Sequence, residues 1–229
     1  MDTLRMALPL SLKVTALAMA IVVPVGLWAG WQLARSGRFF GRSLVETLLA
    51  LPLALPPTVV GYGLLLLFGR GTPFGRWLQD VLHVSLLFTW QGAAIAAAIM
   101  ALPLFVRSAE AAFSFVDRDL MECARTLGAD EGAILFRVLI PLAWQGLLSG
   151  AMLAFARALG EFGATLMVAG SIPGETETLP LALYAAVQAG DDRTALLMAG
   201  TLMGVAYAAT AFSLRRSERS DRGIELRMR

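Results

Sequence analysis

Arg157 and Glu161 form an opposite-charge pair four residues apart inside an apolar stretch, and no other residues of this chain are as suggestive of chemistry. A lone charge at the centre of a bilayer costs roughly 2.5–3.5 kcal/mol on insertion scales, so each needs compensation. Two roles fit: a satisfied structural pair that fixes one span within a helix bundle, or charges bordering an aqueous route along which an anion passes. The i, i+4 spacing predicts that both lie on one helical face, although Arg before Glu is the less favourable order. Catalytic candidates are lacking. Cys123 is the single cysteine, His83 the single histidine and Lys13 the single lysine, so the chain has no disulfide, no cluster at metal-ligand spacing and no Gly-x-x-x-x-Gly-Lys-Ser/Thr phosphate loop. Neither a nucleophile with a base nor paired carboxylates occur. The reading is therefore no catalytic residue, no metal and no cofactor, with any ATP hydrolysed by a partner. Glu46 and His83 are weaker candidates and read as interface and surface residues.

The elements that must position the pair are membrane helices. The chain has 229 residues, 57% hydrophobic and 16% charged, with a mean hydropathy of +0.68, which is too apolar for a soluble domain of this length. Apolar runs near 10–34, 44–68, 84–106, 142–169 and 195–214 each reach the roughly 20 residues that cross about 30 Å of hydrocarbon. The expected fold is all-α, a polytopic bundle of about five spans forming one transmembrane domain over 1–229, with a core of 10–214, a polar loop at 107–141 and a tail at 215–229. The second run contains Pro52, Pro56 and Pro57 ahead of Gly61, which predicts a break within the membrane. Such a break either lines a pathway or is a kink packed by neighbours. Four-residue spacing of Gly146, Gly150, Ala154 and Ala158, and of Gly200, Gly204 and Ala208, predicts faces for close helix packing within or between subunits. Residues 170–194 read as an outer loop whose second half is a short helix lying on the membrane surface.

Charge placement sets the expected orientation. Arg35, Arg38, Arg42, Arg107, Arg118, Arg125, Arg137 and the tail arginines 215, 216, 219, 222, 227 and 229 fall on one side of a five-span topology; Arg5, Lys13, Arg70, Arg76 and Arg193 fall on the other. The arginine-rich side is cytoplasmic. The N-terminus is then outside and the C-terminus inside.

The polar loop is built as helix, turn, helix. Leu120, Ala124 and Leu127 recur at i, i+4 and i+7, Gly128 suits the left-handed residue that closes a helix, and Asp130 suits the cap of a second helix running through Phe136 toward Pro141. A helix of this length is marginal in water, so packing against the spans is expected to hold it, leaving an exposed ridge for a soluble partner. The alternative is a plain connector with a solvated face.

Glu122-Cys123-Ala124, three residues, Gly128, nine residues, then Val138-Leu139-Ile140-Pro141 resembles the Glu-Ala-Ala loop of ABC importer permeases of type I architecture, with Cys123 in place of Ala and Ile140 in place of Leu. That resemblance implies that residues 118–138 carry a coupling helix that inserts into a cytoplasmic ATP-binding subunit. Leu55-Pro56-Pro57-Thr58-Val59-Val60-Gly61-Tyr62, Phe155 through Thr165, and Ile172-Pro173-Gly174-Glu175-Thr176 with Leu179-Pro180-Leu181 and Tyr184 look like molybdate importer permeases, and the likeness covers about 10–214. Sulfate and tungstate permeases are similar through Ala158-Leu159-Gly160-Glu161-Phe162-Gly163. The resemblance implies a bacterial inner-membrane permease working as a homodimer with two ATP-binding subunits and an external oxyanion-binding protein, without nucleic acid. An ion-coupled secondary anion transporter is the rival class; it would need titratable midplane residues and internal repeats, and no clear repeat is visible.

Overall fold

The computed structural model describes residues 2–35 and 41–225, with side chains for 3–35 and 41–211. Arg38, Arg227 and Arg229 lie outside the described residues, and Arg215, Arg216, Arg219 and Arg222 are described by backbone alone. Among the described residues every regular element is helical. Four helices among the described residues are long and apolar enough to cross a membrane, and a fifth span arises if one sharply bent pair is counted.

The scaffold is a parallel pair, α1 (Asp2–Arg35) and α5 (Trp90–Ser114). The ammonium of Lys13 lies 3.8 Å from the Trp90 ring centre at one end, while Trp31 and Ala34 pack beside Phe113 at the other. Glycine makes the approach possible: a methyl added at Gly30 would come 2.6 Å from Ala109 Cβ, and one at Gly26 would overlap the Phe105 ring. α1 begins eight residues before the expected span. α5 begins six residues after its expected start, because the Thr89 side chain caps it, accepting from Gly92 N–H at 3.2 Å. Residues 81–89 are therefore an apolar loop outside the helix, with His83 and Phe88 at positive φ. Hydropathy located the apolar run, not the helix start.

α7 (Glu131–Ile134), a π turn (Leu135–Leu139) and α8 (Ile140–Leu159) form one continuous helix of 29 residues. The expectation that the loop helix stops near Pro141 is corrected. Proline has no N–H and its ring collides with the carbonyl four residues back in a regular helix; here the wider turn intervenes, Ile140 N–H bonding to Leu135 O, five residues back. The small face of α8 packs on α5, with Ala154 and Ala158 buried and a methyl at Gly146 reaching 2.7 Å from Ala112 Cβ.

Span four does not continue to residue 169. It stops at Leu159, and a separate seven-residue α9 (Gly163–Ala169) follows. The second span is broken as the prolines predict: α2 (Arg42–Ala54) and α3 (Pro57–Phe68) meet at 112°. α3 leads to a short amphipathic α4 (Pro73–Asp80). α10 (Leu179–Gln188) is not a surface helix; Leu179, Leu181 and Ala182 are each 1% exposed. Both faces of its first turn are apolar, and Ser11 of α1 draws its N-terminus inward by accepting from Leu179 N–H at 2.6 Å. α11 (Asp192–Glu225) runs beyond the expected end at 214, and its Gly200 and Gly204 meet nothing within 4 Å among the described residues.

The two small-residue faces should therefore respond differently. Gly150→Val, whose added Cβ overlaps Ser108 Cβ, is expected to destabilise the monomer by about 1–3 kcal/mol through overpacking. Gly200→Ala should leave monomer stability unchanged or slightly raised. Thermal unfolding in detergent checks both.

Candidate functional site

Two interrupted spans meet at one crossing. Arg42 at the start of α2 is held by Glu46 at 2.7 Å and by Glu110 of α5 at 3.0 Å, so the other end of this 13-residue helix lies about 20 Å into the bundle. There Leu55 is extended, and Pro57 opens α3 at its first turn, where a missing N–H costs nothing. The second interruption is Gly160-Glu161-Phe162, between α8 and α9. Each half-helix offers glycine to the other: a methyl at Gly61 would come 2.7 Å from Ala164 Cα, and one at Gly163 would come 3.0 Å from Pro57 Cβ. The structure thus brings Pro57 and Gly61 against the segment carrying Glu161, with Pro56 just ahead of them. Gly61 is buried there, while Pro56, Thr58, Val59 and Tyr62 stay exposed on the outer side of the crossing.

Glu161 lies beyond the end of α8, which corrects the premise that it shares a helical face with Arg157. Contact survives because the chain folds back at Gly160. The Glu161 carboxylate accepts from Ala164 N–H at 2.8 Å through one oxygen and from the Arg157 guanidinium at 2.5 Å through the other. Glu161 is 2% exposed, whereas the Arg157 side chain keeps 27% of its surface. The carboxylate caps α9 and neutralises Arg157 at once, so it adds order to a segment too short to be stable alone.

A ring of buried hydroxyls that sequence reasoning missed lines one small space with Glu161: Ser11, Thr15, Thr165 and Thr178. Thr15 donates to Ser11 O at 2.7 Å, Thr165 to Phe162 O at 2.8 Å, and Thr178 Oγ1 is buried without a partner. The space they enclose has no water-sized void. Ser11 and Thr15, at i, i+4 within an apolar run, were the available signal. Their position also corrects the depth of the pair. They precede Arg35 by 24 and 20 residues, about 36 and 30 Å along α1, so the Arg157–Glu161 pair sits toward the end of the bundle remote from the polar loop rather than at its centre.

At the other end stands the polar loop. α6 (Arg118–Thr126) is capped by Asp117, whose side chain accepts from Asp119 N–H at 3.0 Å. Gly128 takes φ +84, with Ala129 N–H bonded to Ala124 O and Gly128 N–H to Arg125 O, a left-handed closure that favours glycine. Asp130 caps the following helix, accepting from Ala133 N–H at 2.6 Å. Packing differs from expectation. Met121 and Ala124 face the bundle, but Leu120 and Leu127 are 49% and 87% exposed, so the periodic leucines form the outer ridge. Glu122 and Cys123 are exposed beside them, and Pro141 stands away in α8. Glu46 is bonded to Arg42, and His83 is an exposed loop residue.

Comparison with known proteins gives one consistent picture. The family model for binding-protein-dependent transport system inner membrane components matches residues 22–220. A molybdenum transport system permease protein of Escherichia coli (strain K12) is 46% identical over 182 residues, 80% of this chain and 79% of that one. Its counterpart in Azotobacter vinelandii is 34% identical and covers 95% and 96% of the two chains. A sulfate transport system permease protein of Synechocystis sp. is 39% identical over 75% of this chain and 63% of its own. Among solved structures, a bacterial alginate ABC transporter in complex with a pentasaccharide-bound periplasmic protein superimposes with a TM-score of 0.75 at 16% identity, covering 96% and 80%. An inward-facing methionine ABC transporter gives 0.66 at 19%, covering 94% and 93%. The fold is that of type I ABC importer permeases.

Glu161→Ala should lower thermal stability in detergent by about 1–2 kcal/mol, the scale of a lost helix cap, and more if Arg157 finds no other partner. Arg157→Ala/Glu161→Ala should recover part of that loss, because no unpaired charge remains. A double variant less stable than Glu161→Ala alone would show that Arg157 has a role apart from the pair.

Proposed function

Because this chain belongs to the family of binding-protein-dependent transport system inner membrane components, we propose that it is the membrane-spanning permease subunit of an ATP-driven molybdate importer. The observation that carries the cargo is the 46% identity to a molybdenum permease over four fifths of both chains. Sulfate, or the similar tungstate dianion, is the second reading, favoured by the sulfate permease relative. An ion-coupled secondary carrier is less well supported: the buried Glu161 carboxylate is already committed to Arg157 and Ala164.

In this reading Glu122, Cys123, Ala124 and Gly128 belong to a coupling loop, closed at its far side by Pro141, that docks a cytoplasmic ATP-binding subunit. The ridge of Leu120 and Leu127 beside exposed Glu122 supports it, since bare leucine in an aqueous loop asks for an apolar groove. Two permease copies, two ATP-binding subunits and an external oxyanion-binding protein make up the assembly. The open Gly200/Gly204 face of α11 is compatible with a second copy. The N-terminus is external and the C-terminus cytoplasmic, following the arginines of the loop side.

ATP-driven closure of the two cytoplasmic subunits draws the loops together and tilts the spans, opening the pathway outward to receive the anion; hydrolysis resets it inward. The crossing of the Pro56-Pro57-Gly61 break with the Glu161 break is where a broken span can change angle without losing regular hydrogen bonds. Arg157 and Glu161 act there as a structural pair. A resident anion site in the ring of hydroxyls is opposed by the buried carboxylate and the lack of space, and a transporter must in any case release its cargo.

Reconstituted with its ATP-binding subunit and cognate binding protein, the permease should support ATPase activity that molybdate raises more than sulfate does. Stimulation by sulfate alone moves the assignment to the second reading. Gly128→Val places a β-branched residue at φ +84, at a cost of about 1–2 kcal/mol, and should uncouple uptake from hydrolysis while leaving membrane insertion intact. Unchanged uptake and unchanged ATPase stimulation in that variant would remove the coupling role of the loop.

A further inference from the structure

α6 has no buried residue, so something other than deep packing must fix its angle. Beneath it lies a recess of about 190 Å³ lined by Trp31, Arg35, Phe113, Glu122, Arg125 and Glu131, so the helix rests on loosely filled space. Across that recess one carboxylate reaches two cations from two different elements. Glu131 Oε1 accepts from Arg125 Nε of α6 at 3.1 Å, and Glu131 Oε2 lies 3.1 Å from Arg35 Nη1 in the last turn of α1. Arg35 is in turn seated over the Trp31 ring, 5.3 Å from its centre.

We propose that Glu131 is a positioning residue: its forked ion pair with Arg35 and Arg125 holds α6 at a fixed angle to the first span, so that motion of the coupling loop reaches α1 as well as α8. The coupling half of this statement rests on the proposed function; the geometric half does not. α6 is joined to the bundle through the Val116-Asp117 turn at one end and Gly128 at the other, and both joints permit rotation. α8 follows the loop by covalent continuity through the π turn. Met121 and Ala124 of α6 and Trp31 and Ala34 of α1 pack against the same apolar cluster, and among the described residues the fork through Glu131 links the two helices by charge. All three charged side chains are between a third and a half exposed, so the fork is salt-sensitive, with Arg125 hydrogen-bonded to Glu131 and Arg35 held to it by charge proximity.

The test has two arms. In the full-length permease in lipid nanodiscs, a spin label on Cys123, which is the only cysteine and is exposed on α6, reports the mobility of that helix. Glu131→Gln should raise label mobility. High salt should do the same to the unsubstituted protein and add little to the variant. In the transporter reconstituted with its ATP-binding subunit, Glu131→Gln should reduce oxyanion moved per ATP hydrolysed by about threefold, the scale of a half-exposed ion-pair network. Arg35→Gln/Arg125→Gln should reproduce this loss and add nothing to it in the triple variant. Unchanged label mobility in Glu131→Gln overturns the proposal. So do an unchanged transport-to-hydrolysis ratio and an additive triple variant. Failure to find any ATP-hydrolysing partner would defeat the functional reading while the label arm still decides the geometry.

Discussion

In hydrocarbon a backbone N–H or C=O without a partner costs several kcal/mol, and this requirement governs the bundle more than any single side-chain contact. A chain that breaks two of its spans must satisfy the freed groups internally. It does so by local means. Val59 and Val60 N–H return to Pro56 O, Gly160 N–H to Ala156 O, Glu161 N–H to Ala158 O, and Leu166 N–H to Phe162 O. The Glu161 side chain serves Ala164 N–H, where no carbonyl is placed to do so. Glycine at 61 and 163 then lets the two breaks seal each other from lipid. The intramembrane charge follows from this: Glu161 is where a short helix needs an acceptor, and Arg157 makes that acceptor affordable.

The same accounting distinguishes the two ends of the molecule. At the crossing, Glu161 is buried and paired, and the space around it is closely packed. At the loop end, α6 is exposed and its ion pairs are half solvated. Stability is thus concentrated where the spans are broken and withheld where a partner docks under the proposed function. α5 mediates between the two, carrying Glu110 against Arg42 near the loop and small residues against α1 and α8 through the membrane.

Much of this was legible in the residues, and the limits of legibility are physical. Pro56, Pro57 and Gly128 act through local backbone restrictions, so the bend and the left-handed turn could be read directly. The end of α8 could not be read from hydropathy, because Gly160-Glu161-Phe162 lies within an unbroken apolar stretch and only the capping bond reveals a terminus. Pro141 misled in the opposite sense; a proline normally ends a helix, and the π turn that admits it leaves no mark in composition. Leu120, Ala124 and Leu127 recur at helical spacing, yet of the three only Ala124 packs against the bundle, because apolar periodicity marks a face without saying what covers it. Ser11 and Thr178 are far apart in sequence, so their meeting beside Glu161 required the fold.

The uninterrupted helix from Glu131 to Leu159 is a lever. Its 29 residues give an arm of about 43 Å, so with the Gly160 end as fulcrum a 5 Å displacement at Glu131 swings it through only about 7°. Such a rotation is small enough to be taken up by φ and ψ at three residues, 160 to 162, without stretching a bond in the helices on either side. Under the proposed function such a lever exchanges a large, soft movement in water for a small, stiff one in lipid, a gearing ratio fixed by the distance from Glu131 to the break at Gly160.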